Sequence, residues 1–81
     1  MNIEIKIERK NRVLSRVNFS KATLHRYINQ GIFPPPISLG GRAVGFFSHE
    51  VDEYLIAAAN GTDLNEAVER MLKKRKDLQA H

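Results

Sequence analysis

The sequence predicts a mainly α-helical fold carrying one small β-hairpin, and three observations predict it. Apolar residues recur at helical spacing in four separate stretches. The middle of the chain is punctuated by Pro34-Pro35-Pro36 and then by Gly40-Gly41, where a helix cannot continue and a tight hairpin can form. The first two helical stretches are separated by no more than a turn around Asn18-Phe19, which is the spacing of a helix-turn-helix.

Composition sets the frame for these elements. At 81 residues the chain has room for one core and for no catalytic cleft of ordinary size. Hydrophobic residues at 42% and charged residues at 27% are ordinary for a globular fold, which argues against disorder throughout. The absence of cysteine excludes disulfides and thiolate metal sites. Met1 to Lys10 alternates charge with isoleucine and does not read as a secretory signal. With no apolar run near the roughly 20 residues that span a bilayer, no membrane partner is expected and the cytoplasm, in association with the nucleoid, is the expected location. Charge is unevenly spread. Residues 1–47 hold eight Lys/Arg against two Asp/Glu, whereas residues 48–81 hold five against seven. A basic first half suits a polyanion, whose phosphates it would neutralise with release of counterions. A soluble surface alone has the same charge.

The elements follow in order. Ile3, Ile5 and Ile7 alternate with Glu4, Lys6 and Glu8, a strand period that also suits a loose arm, so residues 1–9 are read as an N-terminal arm or short strand. From about Arg9 to Val17, the spacing of Val13, Leu14 and Val17 predicts a short helix, closed by Asn18 in the left-handed conformation. Ser20 is placed to cap a second helix over about Lys21 to Gln30, with Phe19 and Leu24 at the positions of a hydrophobic staple. Gly31 and the three prolines end it. Ile37–Leu39 and Arg42–Phe47 read as two strands joined by Gly40-Gly41. Ser48 is expected to cap a third helix that buries Val51, Tyr54, Leu55 and Ala58 and stops at Asn60-Gly61. Asp63 and Glu66 form a cap-like pair for a fourth helix, whose stripe runs Leu64, Ala67, Val68, Met71, Leu72 and Leu78. Residues 10–59 are thus read as a winged helix-turn-helix, and 60–81 as an additional C-terminal helix for packing or oligomerisation. The heptad spacing of Leu64, Met71 and Leu78 leaves both open, since the helix must bury a face against its own domain or a second copy.

The second helix carries the candidate contacts. At about 100° per residue, Lys21, Ala22, His25, Arg26 and Asn29 share one side, and Leu24, Tyr27 and Ile28 share the other. The first side holds what base edges require: arginine pairs with guanine, asparagine with adenine, and alanine admits a thymine methyl. Ser20 and Lys21, at the helix N-terminus, lie where anions are attracted, and Thr23 is a further candidate contact of the same helix. An amphipathic surface helix that binds nothing has the same pattern. In the hairpin, Arg42 follows Gly40-Gly41 directly, on a narrow loop suited to a phosphate backbone or a minor groove. A solvated charge that blunts a sheet edge is the plainer reading of the same arginine.

The stretch from Val13 to Leu55 resembles the AlpA family of prophage and integrative-element regulators, related to excisionases and to the winged DNA-binding domains of the MerR group. Ser20, Thr23, Arg26, Gly31, Phe33, Pro34, Gly41, Arg42, Ala43, Val44, Gly45 and Phe46 carry the resemblance. The chain departs from it at Asn18, where glycine is usual, at His25, where tyrosine is common, and at Phe46, where tryptophan is common. The resemblance implies a MerR/excisionase-like fold and double-stranded DNA as partner. It implies regulation of a nearby integrase or excisionase gene, or direct action as a recombination directionality factor. A domain this small makes few base contacts, so self-association or a cooperative array on DNA is expected, with an integrase as a further partner.

Enzymatic readings find little support. His25, His49 and His81 have no metal-ligand spacing, and His49-Glu50 reads as a surface pair in a first helical turn. Gly40-Gly41 lacks the Lys-Ser/Thr of a phosphate loop, and no serine has a base partner at readable spacing. The expectation is a protein with no catalytic residue, metal or cofactor. The alternative from another class is a protein-interaction module, an antirepressor or integrase-binding adaptor with a basic face.

Overall fold

A computed structural model describes residues 5–79. Ile3 and Glu4 of the N-terminal alternation, the Leu78 side chain of the last apolar stripe, and His81 lie outside the described residues. The elements run β1 (Ile7–Glu8), α1 (Lys10–Val17), α2 (Lys21–Asn29), β2 (Ile37–Gly40), β3 (Ala43–Phe47), α3 (Ser48–Ala59) and α4 (Leu64–Gln79). The strands form one antiparallel sheet in the order β1-β3-β2. The fold is mainly helical with a small antiparallel sheet, as periodicity and punctuation predict, and is compatible with a winged helix-like domain carrying one further helix.

The turn between α1 and α2 is set by Asn18. Its φ of 60° is the one positive value at a non-glycine residue among those described, and its N–H donates to Leu14 O at 2.8 Å. Asparagine tolerates this region because its short polar side chain bonds locally, whereas a β-carbon without that help costs roughly 1–2 kcal/mol there. Asn18→Ala is therefore expected to lower the unfolding free energy by about 1 kcal/mol, while Asn18→Gly stays near the parent; urea titration of the three proteins checks this.

Phe33 organises the core. Fully buried, it sits between Phe46 at 6.0 Å and Tyr54 at 4.6 Å, centroid to centroid, with Phe19 at 6.4 Å. Around these rings pack Val13 and Val17 of α1, Leu24 of α2, Val51 and Ala57 of α3, and Ala67 and Met71 of α4. Edge-on packing of this kind adds to the area buried, because ring edges are positive and faces negative. Burial, reinforced by the charge of Tyr27, raises the Tyr54 phenol above its usual pKa.

Several details depart from the sequence-based reading. Ser48 is not the cap of α3 but its first residue; the cap position is Phe47. The Ser48 hydroxyl instead donates to Glu8 Oε1 at 2.6 Å, and its N–H to Lys6 O at 2.9 Å. The buried side of α3 is Glu50, Val51, Tyr54 and Ala57, so Leu55 is half-buried and Ala58 exposed. α4 and β3 pack on α3, and Glu50 lies on its buried side because Arg75 of α4 covers it. The hairpin tip is likewise shifted by one residue. Gly40 pairs with Ala43, the turn is Gly41-Arg42, and a bulge lies between Ser38 and Gly40. Arg42 thus stands within the turn, not after it.

The largest departure concerns charge. Glu50, read as a surface residue, is only 2% exposed. Arg75 of α4 reaches it with two donors, Nε to Oε2 at 2.7 Å and Nη2 to Oε1, and Nη2 also donates to Pro35 O at 2.7 Å. The same guanidinium lies over the Phe47 ring, 5.2 Å from its centroid. One arginine thereby joins α4 to α3, to the proline segment and to β3. α4 itself is capped by Asp63, whose Oδ1 accepts from the N–H groups of Asn65 at 2.9 Å and Glu66 at 3.3 Å.

Candidate nucleic-acid interface

α2 starts at Ser20, whose Oγ accepts from Thr23 N at 3.2 Å and donates to Thr23 Oγ1 at 3.0 Å. The serine hydrogen is thus engaged, and the Thr23 hydroxyl keeps its own for an outside acceptor. Leu24 is fully buried and Tyr27 and Ile28 half-buried, which fixes the roll of the helix. Lys21, Ala22, His25, Arg26 and Asn29 are left exposed on the other side, with Thr23 half-buried between the two. The Arg26 guanidinium lies 5.7 Å from the Tyr27 ring centroid, an aromatic contact that steadies a long side chain. At the far end, Asn65 Nδ2 donates to Gln30 O and Gly31 O, both at 3.1 Å, so α4 satisfies the carbonyls that α2 leaves open.

The hairpin supplies a second group. Gly40 and Gly41 have φ of 106° and 55°, and a β-carbon on either would meet nothing within 4 Å. Backbone conformation demands these glycines, and the tip is therefore bare apart from exposed Arg42. No hydrogen bond or ion pair links this tip to the α2 face among the described residues; Phe33, in the segment after α2, packs against Phe46 of β3.

The charge pattern sharpens once ion pairs are assigned. Arg16 is spent internally, bonded to Glu8 Oε1 and to Asp52 Oδ1. Partial burial works against its charge, yet Asp52 and Glu8 outweigh this and hold its pKa above the usual value. Arg75 is held by Glu50, and Lys74 contacts Glu53 at 3.3 Å, so two of the four cations in the 73–76 run are engaged. Arg12 is 77% exposed and 3.8 Å from Glu8. Arg9, Lys10, Lys21, Arg26 and Arg42 have no carboxylate partner among the described residues. From Arg9 through His49 the chain contains no Asp or Glu at all.

Sequence reasoning missed Lys10, whose Nζ lies 3.1 Å from His25 Nε2 and which joins α1 to the exposed α2 face. No local signal points to that contact, because the two residues are fifteen apart. Glu8, Arg12 and Arg16 do stand at intervals of four, a pattern by which part of the internal network was readable. No group of three or more metal-ligating side chains occurs among the described residues, and no helix there is long and apolar enough to cross a membrane.

A turn-linked pair of helices, the second with a cationic, carboxylate-free outer face, together with an arginine-tipped hairpin, is compatible with a small domain of the winged-helix type. No curated protein and no solved structure matches the chain. The model of the prophage CP4-57 regulatory protein (AlpA) family matches residues 6–57, and the chain belongs to that family of phage-related regulators.

Proposed function

We propose that this chain is a sequence-specific DNA-binding protein of a mobile element, acting as an excisionase-type recombination directionality factor, as a transcriptional regulator, or as both. α2 lies in the major groove. There Arg26, Asn29, His25 and Ala22 meet base edges, and Ser20, Lys21 and Thr23 meet phosphate at its N-terminus. Arg42, on the Gly40-Gly41 loop, rests on the backbone or in the adjacent minor groove. One observation carries the reading: the exposed face of α2 has cationic and amide side chains, while no carboxylate occurs between Arg9 and His49 to repel a phosphate. Family membership supports a regulatory role and requires no catalytic step.

Few base contacts are available to one such domain, so binding occurs through self-association or cooperative arrays on repeated sites, with an integrase as a further partner in the excision role. Its place of action is the nucleoid. The test is duplex affinity against salt. The logarithm of the association constant is expected to fall linearly with log salt, with a slope between about −3 and −6 for the unpaired cations near the proposed interface. A slope near zero would leave the basic face to an acidic protein partner. Footprinting over the element's promoter and attachment sites separates the two roles, since phased protection at an attachment site marks excision and protection confined to a promoter marks regulation.

A further inference from the structure

We infer that Lys10 is a positioning residue for base selection: it holds His25 with its single ring proton on Nδ1, so the imidazole offers the base pair a donor and not an acceptor. The inference rests on the DNA-binding reading above and adds to it a residue on α1 and a chemical preference.

Lys10 Nζ stands 3.1 Å from His25 Nε2. A lysine ammonium has three donors and no acceptor. The bond therefore exists only if Nε2 carries the lone pair, which leaves the proton of the neutral ring on Nδ1. A doubly protonated ring would set two cations against each other with no acceptor between them. Both ends of the contact stand on packed helices: Lys10, half-buried, is the first residue of α1, and His25, exposed, lies in the second turn of α2, whose roll is fixed by buried Leu24. His25 makes no other hydrogen bond among the described residues, so Nδ1–H is available to a partner.

The donor decides which bases fit. In the major groove, guanine offers N7 and O6, adenine N7 and thymine O4 as acceptors, whereas cytosine presents its N4 amine, a donor. The His25 Nδ1–H can donate to the first three and opposes the cytosine amine. Meanwhile the Lys10 ammonium keeps two donors for a phosphate, so one side chain sets the ring's tautomer and strengthens backbone binding.

Two measurements on the full chain test this. In the free protein, long-range nitrogen–proton NMR is expected to find the His25 proton on Nδ1, to find a mixture of tautomers in Lys10→Met, and to find Nδ1 again in Lys10→Arg, because arginine is also a pure donor. Selection from a pool of randomised duplexes is expected to show the parent disfavouring cytosine at one position by about tenfold. His25→Ala and Lys10→Met lose the preference at that same position and keep it elsewhere, and Lys10→Arg restores it. A parent ring protonated on Nε2, or a Lys10→Met variant that selects the parental bases, overturns the role of Lys10 and leaves the DNA-binding reading intact. A parent that enriches no sequence, with its tautomer as stated, overturns the DNA-binding reading and the base preference with it.

Discussion

Arg75→Met is expected to destabilise the protein by about 3–5 kcal/mol, the cost of removing one partner from a buried ion pair. The carboxylate left behind, Glu50, is 2% exposed and has no second cation to turn to among its bonded neighbours, and Pro35 O loses its donor as well. A domain of this length has a total stability of roughly 4–12 kcal/mol, so the variant would sit near its unfolding threshold at ordinary temperatures. The pair is a strong lock and a weak stabiliser, because each ion lost its hydration on burial. Replacing both residues, as Glu50→Leu with Arg75→Leu, is accordingly expected to cost far less than the single change. Urea unfolding of the parent, the single and the double variant reads this directly. A single variant within about 1 kcal/mol of the parent, less than a broken buried pair costs, would mean that the guanidinium is not what holds α4 in place.

Arg26→Ala is expected to abolish discrimination between a preferred duplex and random DNA at one base pair, about 1–3 kcal/mol, or about fivefold to more than a hundredfold. Arg42→Ala is expected to act differently. It should weaken binding to all duplexes by a similar factor and reduce the salt slope by about one, since a residue in a bare turn meets backbone or groove floor and not a unique base edge. The contrast between the two is the informative quantity. If both variants bind DNA as the parent does, the basic face serves another kind of partner.

Much of this architecture was legible because local signals agreed with one another. Asn18, Ser20, Gly31 and the proline block each mark an element boundary by a conformational preference that tertiary packing did not overrule. The two faces of α2 could be assigned from spacing alone, because one helix side is apolar and the other is not. What failed to read were contacts between residues far apart in the chain. Ser48 looked like a cap, yet its hydroxyl is taken by Glu8, forty residues away. His49-Glu50 looked like a polar surface pair until α4 folded over the second of the two with Arg75. The hairpin tip moved by one residue because a bulge, invisible in composition, changed the register after Ser38. Lys10 gave no sign of its relation to His25, since a lysine at the start of a helix is ordinary by every local criterion.

The family match ends at residue 57, inside α3, while Ala67 and Met71 of the following helix fill the shared core and Asn65 closes the end of α2. Anyone transplanting the exposed face of α2 onto another scaffold must therefore carry residues 5–79 and not the shorter common segment. A graft cut at 57 would arrive without Ala67 and Met71 in its core and without the Asn65 donors at the end of α2.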